Sequence, residues 1–283
     1  MSNDGKILTT TRWNQSGNIY VSVDGRQTRL AEVYNKYCPN ISSTNSSKSV
    51  TGCTNTTDSQ ILYYWLEQGY DFFFSISSSD YFVLASDSKT YYCSETSRVG
   101  EGTISQINAI LKSSDRIGNG DFIAALNYYC GVKNHSTYGS STGTSWWSGT
   151  YSDGTNAAVF RAAGFDSYYF VSKTSSTKLF SGGAITEVGY SVLRENFDYG
   201  EIVSVGIPGH SIYMDGYRYN SSSKQYEYHL NYGWGLSASE SKWYTVAQLE
   251  ALKINYVTID LTPEIRVNVT SDRGDYYGGS LLR

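Results

Sequence analysis

The chain has 283 residues, 40% hydrophobic and 17% charged, with 27 tyrosines and 27 glycines, so it can bury a substantial core as one large domain or one domain with an appendage. The formal net charge is −4; no Lys/Arg cluster interleaves with aromatics, which excludes a nucleic-acid-binding footprint, and no apolar run reaches the length of a membrane span. A chain rich in Tyr, Thr and Gly and poor in charge favours strands and long polar loops, so a β-heavy α+β protein is expected.

The opening Met1-Ser2-Asn3-Asp4-Gly5 lacks the basic start and apolar stretch of a signal peptide. A chain trimmed of its leader would begin the same way, and the Ser/Thr/Tyr-rich, Lys-poor composition suits a secreted or cell-surface protein. Residues 13–39 read as strand or loop. Residues 40–50, dominated by Ser, Thr and Asn, read as an unpacked, mobile loop. From Cys53 the pattern turns helical: Ile61, Leu62, Trp65 and Leu66 recur at helical spacing, and Gly69 stops the run. Three more helices are predicted over residues 120–130, 155–163 and 185–196. A Gly/Ser/Thr-rich loop, Tyr138-Gly139-Ser140-Ser141, follows the first of them. Strands are predicted over 202–207, 211–217, 226–231 and 256–261, the middle two forming a hairpin around Asn220-Ser221-Ser222-Ser223. After Pro263 the alternation of Ile265, Val267 and Val269 reads as a C-terminal extension, residues 263–283, opening a truncated further domain; residues 1–262 read as the main domain.

Four cysteines occur, Cys38, Cys53, Cys93 and Cys130, with no C-x-x-C pair. Isolated thiols are expected rather than a zinc site or a disulfide framework. Cys53 sits at a helix start, where backbone N–H groups and the helix dipole favour a thiolate, and Gly52 before it permits a sharp turn. A small buried structural cysteine would fit the same position. Of the three histidines, His210 follows Gly209, which leaves room for a substrate backbone beside the imidazole. A two-residue turn at Asn220-Ser221 would place Asn231 opposite His210, where a carboxamide could orient the ring; Ser222 and Ser223 could lengthen that turn. His229 shares the face of Asn231 and is a rival base, whereas His135 lies in a polar stretch and is expected to be exposed. In Gly233-Trp234-Gly235 the flanking glycines let the indole lie over neighbouring groups.

These segments run in an order that resembles the streptopain family of cysteine peptidases. The matching pieces are Trp13-Asn14-Gln15, Tyr34-Asn35 with Cys38-Pro39, Thr51-Gly52-Cys53 with Gln60-Ile61, Gly209-His210 with Asp215-Gly216, Asn231-Tyr232-Gly233-Trp234-Gly235, and the loop at Ser141. The resemblance implies a papain-like α+β fold, with a helical left subdomain and an antiparallel β-sheet right subdomain. It implies a cysteine endopeptidase working through a Cys53 thioester. Cys53 would be the nucleophile, His210 the general base and acid, Asn231 the group orienting His210, Trp234 the cover of that pair, and Gln15 an oxyanion donor. Gly209 and Ser141 would line the substrate cleft. No metal or cofactor is implied. The partners implied are protein or peptide substrates and a prodomain or proteinaceous inhibitor. The family usually carries small apolar residues after the cysteine; here Thr54-Asn55-Thr56-Thr57-Asp58-Ser59 is polar, so this turn is expected to be more solvated or differently packed. Rival readings are a related thiol acyltransferase or amidase, a catalytically silent binding module, and an adhesin carrying Arg273-Gly274-Asp275.

Overall fold

The computed structural model describes residues 3–15, 17–23, 26–140, 158–174, 177–236 and 238–263. The first part of the chain is built from small sheets and three helices. Strands β1 (Asn18–Val23) and β2 (Arg26–Val33) form a hairpin, followed by a second hairpin of β3 (Asn40–Ser42) and β4 (Asn45–Lys48). The polar segment 40–50 is therefore ordered, because its Ser, Thr and Asn side chains close the turn locally: Ser42 Oγ accepts from Asn45 N–H at 3.1 Å and Asn45 Oδ1 from Ser47 N–H at 3.0 Å.

Helix α1 (Cys53–Glu67) comes next, then β5 (Tyr81–Leu84), β6 (Thr90–Tyr92), β7 (Arg98–Val99) and β8 (Gly102–Thr103). Helix α2 (Ile104–Leu111) was not foreseen. It is only eight residues long, but it carries a capping box in which Gln106 N–H reaches Thr103 Oγ1 at 3.2 Å and Thr103 N–H reaches Gln106 Oε1 at 2.9 Å. Helix α3 (Gly120–Lys133), capped by Asn119, runs three residues beyond the predicted 130 and leads into β9 (Thr137–Tyr138). Helix α1 packs against α3 on one side and the main sheet on the other.

The second part is a sheet with helices on it. It contains α4 (Ala158–Ala162), β10 (Phe165–Ser172), β11 (Phe180–Ser181), β12 (Ala184–Ile185), α5 (Glu187–Asp198), β13 (Val203–Ile207), β14 (His210–Asn220), β15 (Gln225–Asn231), β16 (Trp243–Thr245), α6 (Val246–Ala251) and β17 (Tyr256–Pro263). Six of these strands form an antiparallel sheet in the order β10-β17-β13-β14-β15-β16. Strand β17, the last described element, is thus interior to the sheet, its Pro263 opposite Phe165. Residues 264–283, with the alternation around Val267 and the Arg273-Gly274-Asp275 triplet, lie outside the described residues.

One apolar core joins the two parts, from Trp13, Tyr34 and Tyr63 through Phe122 and Tyr129 to Ile212, Tyr213 and Leu230. An N-terminal strap runs along the sheet into the helical part. Gly5 N–H bonds Tyr217 O at 2.8 Å and Leu8 N–H bonds Asp215 O at 2.7 Å. The architecture is the α+β arrangement expected, with helices on one side and an antiparallel sheet on the other.

Candidate active site

Cys53 is the first residue of α1 and is partly exposed. Gly52 precedes it at φ +89°, a backbone angle that a side chain rarely tolerates, and no side chain caps the helix. Helices α2, α3, α5 and α6 each have a side-chain cap. The first-turn N–H groups of α1 therefore have no capping side chain to compete with a thiolate or an oxyanion. Two main-chain bonds hold this corner: Thr51 N–H to Gln15 O at 2.9 Å and Val50 N–H to Gly139 O at 3.0 Å. Gln15, itself half-buried, is thereby tied two residues from the thiol. Ser141 lies outside the described residues.

The polar turn after Cys53 is differently packed rather than solvated: Thr54 to Ser59 are all buried. Asn55, Thr56, Asp58 and Ser59 find internal partners. Asn55 Nδ2 donates to Thr51 O at 2.7 Å and Ser136 Oγ at 2.9 Å; Thr56 Oγ1 donates to Gly52 O at 2.9 Å; Tyr34 Oη and Ser59 Oγ lie 2.5 Å apart. Asp58 accepts from Asn134 Nδ2 at 2.8 Å, and burial pushes its carboxyl up to about 7.

His210 opens β14 after the turn at Pro208-Gly209. Gly209 sits at φ +73° with open space where a side chain would be. His210 Nε2 lies 2.9 Å from the main-chain oxygen of Tyr232. A carbonyl can only accept, so Nε2 carries the proton and Nδ1 presents a lone pair. Burial holds the imidazole below its ordinary pKa, partly offset by that hydrogen bond. The Trp234 indole, 41% exposed, lies over the ring at 4.8 Å between centroids and 29° from parallel. Gly233 and Gly235, at φ +65° and +86°, shape the loop that delivers it. Gly235 N–H bonds Trp13 O at 3.0 Å, and Asn14 bridges to Trp234, so the Trp13-Asn14-Gln15 segment straps the loop on one side and α1 on the other.

Asn231 does not reach His210. The β14–β15 turn takes in residues 221–224, pairing Asn220 with Gln225, and a bulge between Met214 and Gly216 shifts the register again. Asn231 faces Tyr213 instead. Its Nδ2 donates to Thr11 O at 3.2 Å and its Oδ1 accepts from Gly233 N–H at 2.9 Å. The carboxamide thus shapes the turn whose Tyr232 carbonyl holds the imidazole, a partner that no side-chain pattern in the sequence reveals. The side chain that does meet His210 is Trp234, whose indole stacks on the imidazole.

The rival base is removed. His229 is 3% exposed, and its Nδ1 lies 2.5 Å from Asp215 Oδ1, itself fully buried. His135 is exposed and stacks on Tyr81 at 4.0 Å. Cys38, Cys93 and Cys130 are free and buried, which leaves Cys53 the accessible thiol of the four. Burial pushes the Cys38 thiol up to about 12 and Cys93 to about 11, and also raises Cys130.

Two contacts bring the thiol corner and the imidazole corner together. A Cβ on Gly233 would sit 2.9 Å from Thr56 Cγ2, so the loop beside His210 lies directly on the first turns of α1. Tyr256 Oη lies 3.4 Å from Oγ of Ser211, next to His210; burial raises its pKa, with smaller electrostatic contributions from Asp58 and Cys53 on the α1 side. No hydrogen bond joins Cys53 and His210 in this arrangement, as is common before substrate closes such a pair.

A partly exposed thiol at an open helix end and an imidazole at the start of a strand of an antiparallel sheet, their corners packed together through Gly233 and Thr56, are the arrangement of a papain-like cysteine peptidase. The Peptidase C10 family profile matches residues 29–244, and the chain belongs to that family, as a cysteine-type peptidase. Two solved structures share the fold. A mutant fragment of Prevotella intermedia prointerpain A is 19% identical with a TM-score of 0.55, over 91% of this chain and 72% of that one. The active wild-type interpain A cysteine protease of the same organism is 19% identical with a TM-score of 0.52, over 91% and 94%. Comparison with curated proteins finds no match.

Proposed function

We propose that this chain is an endopeptidase in which Cys53 is the nucleophile and His210 the general base and acid. The observation that carries the assignment is the tautomer of His210: the Tyr232 carbonyl holds Nε2–H at 2.9 Å, which leaves Nδ1 basic beneath Trp234. His210 Nδ1 takes the Cys53 proton, and the thiolate attacks the scissile carbonyl carbon. The Cys53 N–H and the Gln15 carboxamide receive the oxyanion. The imidazolium then protonates the leaving amine, the C–N bond breaks and a thioester remains. Water, deprotonated by His210, attacks the thioester; the thiolate leaves and the acid product departs. Gly209 offers open backbone for an extended peptide.

Action outside the cell, with a prosegment or protein inhibitor as partner, belongs to the same proposal. It is supported by the Lys-poor, Ser/Thr/Tyr-rich composition and by the likeness to a prointerpain A fragment. Cys53→Ala is expected to abolish casein cleavage and labelling by a thiol-directed epoxide. Cleavage undiminished in that variant, or label found on another cysteine, would overturn the assignment.

A further inference from the structure

Gln60 lies seven residues, two turns, along α1 from Cys53 on the same face of the helix. It is fully buried and touches no substrate surface. Its Oε1 accepts from Thr11 Oγ1 at 2.9 Å and from the Tyr213 hydroxyl at 3.3 Å, while its Nε2 donates to Thr56 O at 3.3 Å. The two hydroxyls arrive from two different parts of the fold that hold the imidazole. Tyr213 is on β14, three residues from His210. Thr11 is on the N-terminal strap, and its main-chain oxygen anchors the Asn231 carboxamide, which in turn fixes Gly233 N–H.

Further polar groups lie behind Tyr213. Thr9 Oγ1 lies 3.2 Å from the Tyr213 hydroxyl and donates to Asp215, whose other oxygen meets His229. Buried hydrogen bonds therefore tie the thiol's helix to Tyr213 on β14, and a second buried set joins Thr9, Asp215 and His229 at the bulge of the same strand. Apolar side chains can slide past one another at small cost. Hydrogen bonds are directional, and a buried donor left without its acceptor is penalised, so these bonds permit one placement of α1 against β14. An uncharged carboxamide suits the hub: its oxygen takes two donors at once, while its nitrogen returns a bond to its own helix.

We propose that Gln60 is a positioning residue that sets the placement of Cys53 relative to His210, through Tyr213 on one side and Thr11 with Asn231 on the other. The inference rests on the assignment of Cys53 and His210 as the reacting pair. The test uses Gln60→Met, which keeps the length of the side chain and removes both polar atoms. It reads kcat and KM on a peptide substrate and the pH profile of Cys53 alkylation by iodoacetamide, in wild-type and His210→Ala backgrounds. Gln60→Met is expected to lower kcat on the order of ten- to a hundredfold with little change in KM. It should slow alkylation at mildly acidic pH, where the imidazole sustains the thiolate, and that slowing should vanish in the His210→Ala background. Tyr213→Phe should move the same readouts less, and combining it with Gln60→Met should add nothing, since both remove the same bond.

A folded Gln60→Met protein with wild-type kcat and alkylation profile would overturn the proposal, as would slowing that persists unchanged without His210. Should Gln60→Met not fold, Tyr213→Phe and Thr11→Val decide by the same readouts. The underlying assignment fails separately, through an active Cys53→Ala protein.

Discussion

His210 is oriented by a main-chain carbonyl, and this alters what its neighbours do. Tyr232 O accepts from Nε2, so no side-chain substitution at position 232 removes the acceptor. Asn231 acts one step away by shaping the turn. Asn231→Ala is therefore expected to lower kcat/KM less than His210→Ala, which removes the proposed base; equal losses in steady-state assays would refute this ordering. Trp234 has a distinct part. Its indole covers the imidazole, and burial is the main cause that holds His210 below its ordinary pKa. Trp234→Ala should expose the ring and move that pKa upward. NMR titration of His210 in a Cys53→Ala background would read the shift, and kcat/KM should fall about tenfold.

Helix α1 carries its polar residues inward, an inversion of the usual pattern. The cost of burying this turn is partly offset by the internal bonds of Asn55, Thr56 and Ser59, and Asp58 has a single amide partner. Its carboxyl sits at about 7 in the folded chain against an ordinary 3.8. The sign follows from linkage. Between these values the unfolded chain releases the proton and the folded chain keeps it. The associated stability is fully present below about pH 4 and is lost as pH rises through 7. Asp58→Asn removes that titration. The variant and wild type should differ little between them in pH dependence below pH 4, and the variant should gain on wild type by roughly 4 kcal/mol, as an upper bound, by pH 8. Urea midpoints at the two pH values measure this; a constant difference between variant and wild type would count against a neutral buried Asp58.

At the scale of the whole molecule, the N-terminal strap ties the sheet to the helical part. It crosses β14 where Gly216 has no side chain: a Cβ there would meet Lys6 O within van der Waals overlap, and backbone cannot yield as a flexible side chain does. Gly216→Ala should push the strap off the sheet and lower stability by about 1–3 kcal/mol. Because Leu8, Thr9, Thr11 and Trp13 follow on the same strap, activity should fall as well. Calorimetry with parallel peptidase assays tests both, and an unchanged Tm would show that the strap yields freely.

The sequence by itself determined the local pieces of this protein. Apolar spacing places α1 with Cys53 at its start, alternation places β14 and β15, and the glycines around Trp234 mark a loop of unusual backbone; these follow from residues within a few positions of one another. The ordered motifs also pointed to the family. What lay beyond reading was pairing and partnership across distance. The register of β14 against β15 depends on a four-residue turn and a bulge at Asp215, and moving it carries Asn231 from His210 to Tyr213. The carbonyl that holds His210 has no side-chain signature. The short helix α2 and the β3–β4 hairpin depend on caps and turns too local for periodicity to register. His229 and His210 looked alike as candidate bases; only tertiary structure, by burying one against Asp215 and opening the other beneath Trp234, separated them. The physical reason is the same throughout: chemistry within one turn or strand is set by neighbours in the chain, whereas solvent exposure and hydrogen-bond partnership are set by what the rest of the fold brings alongside.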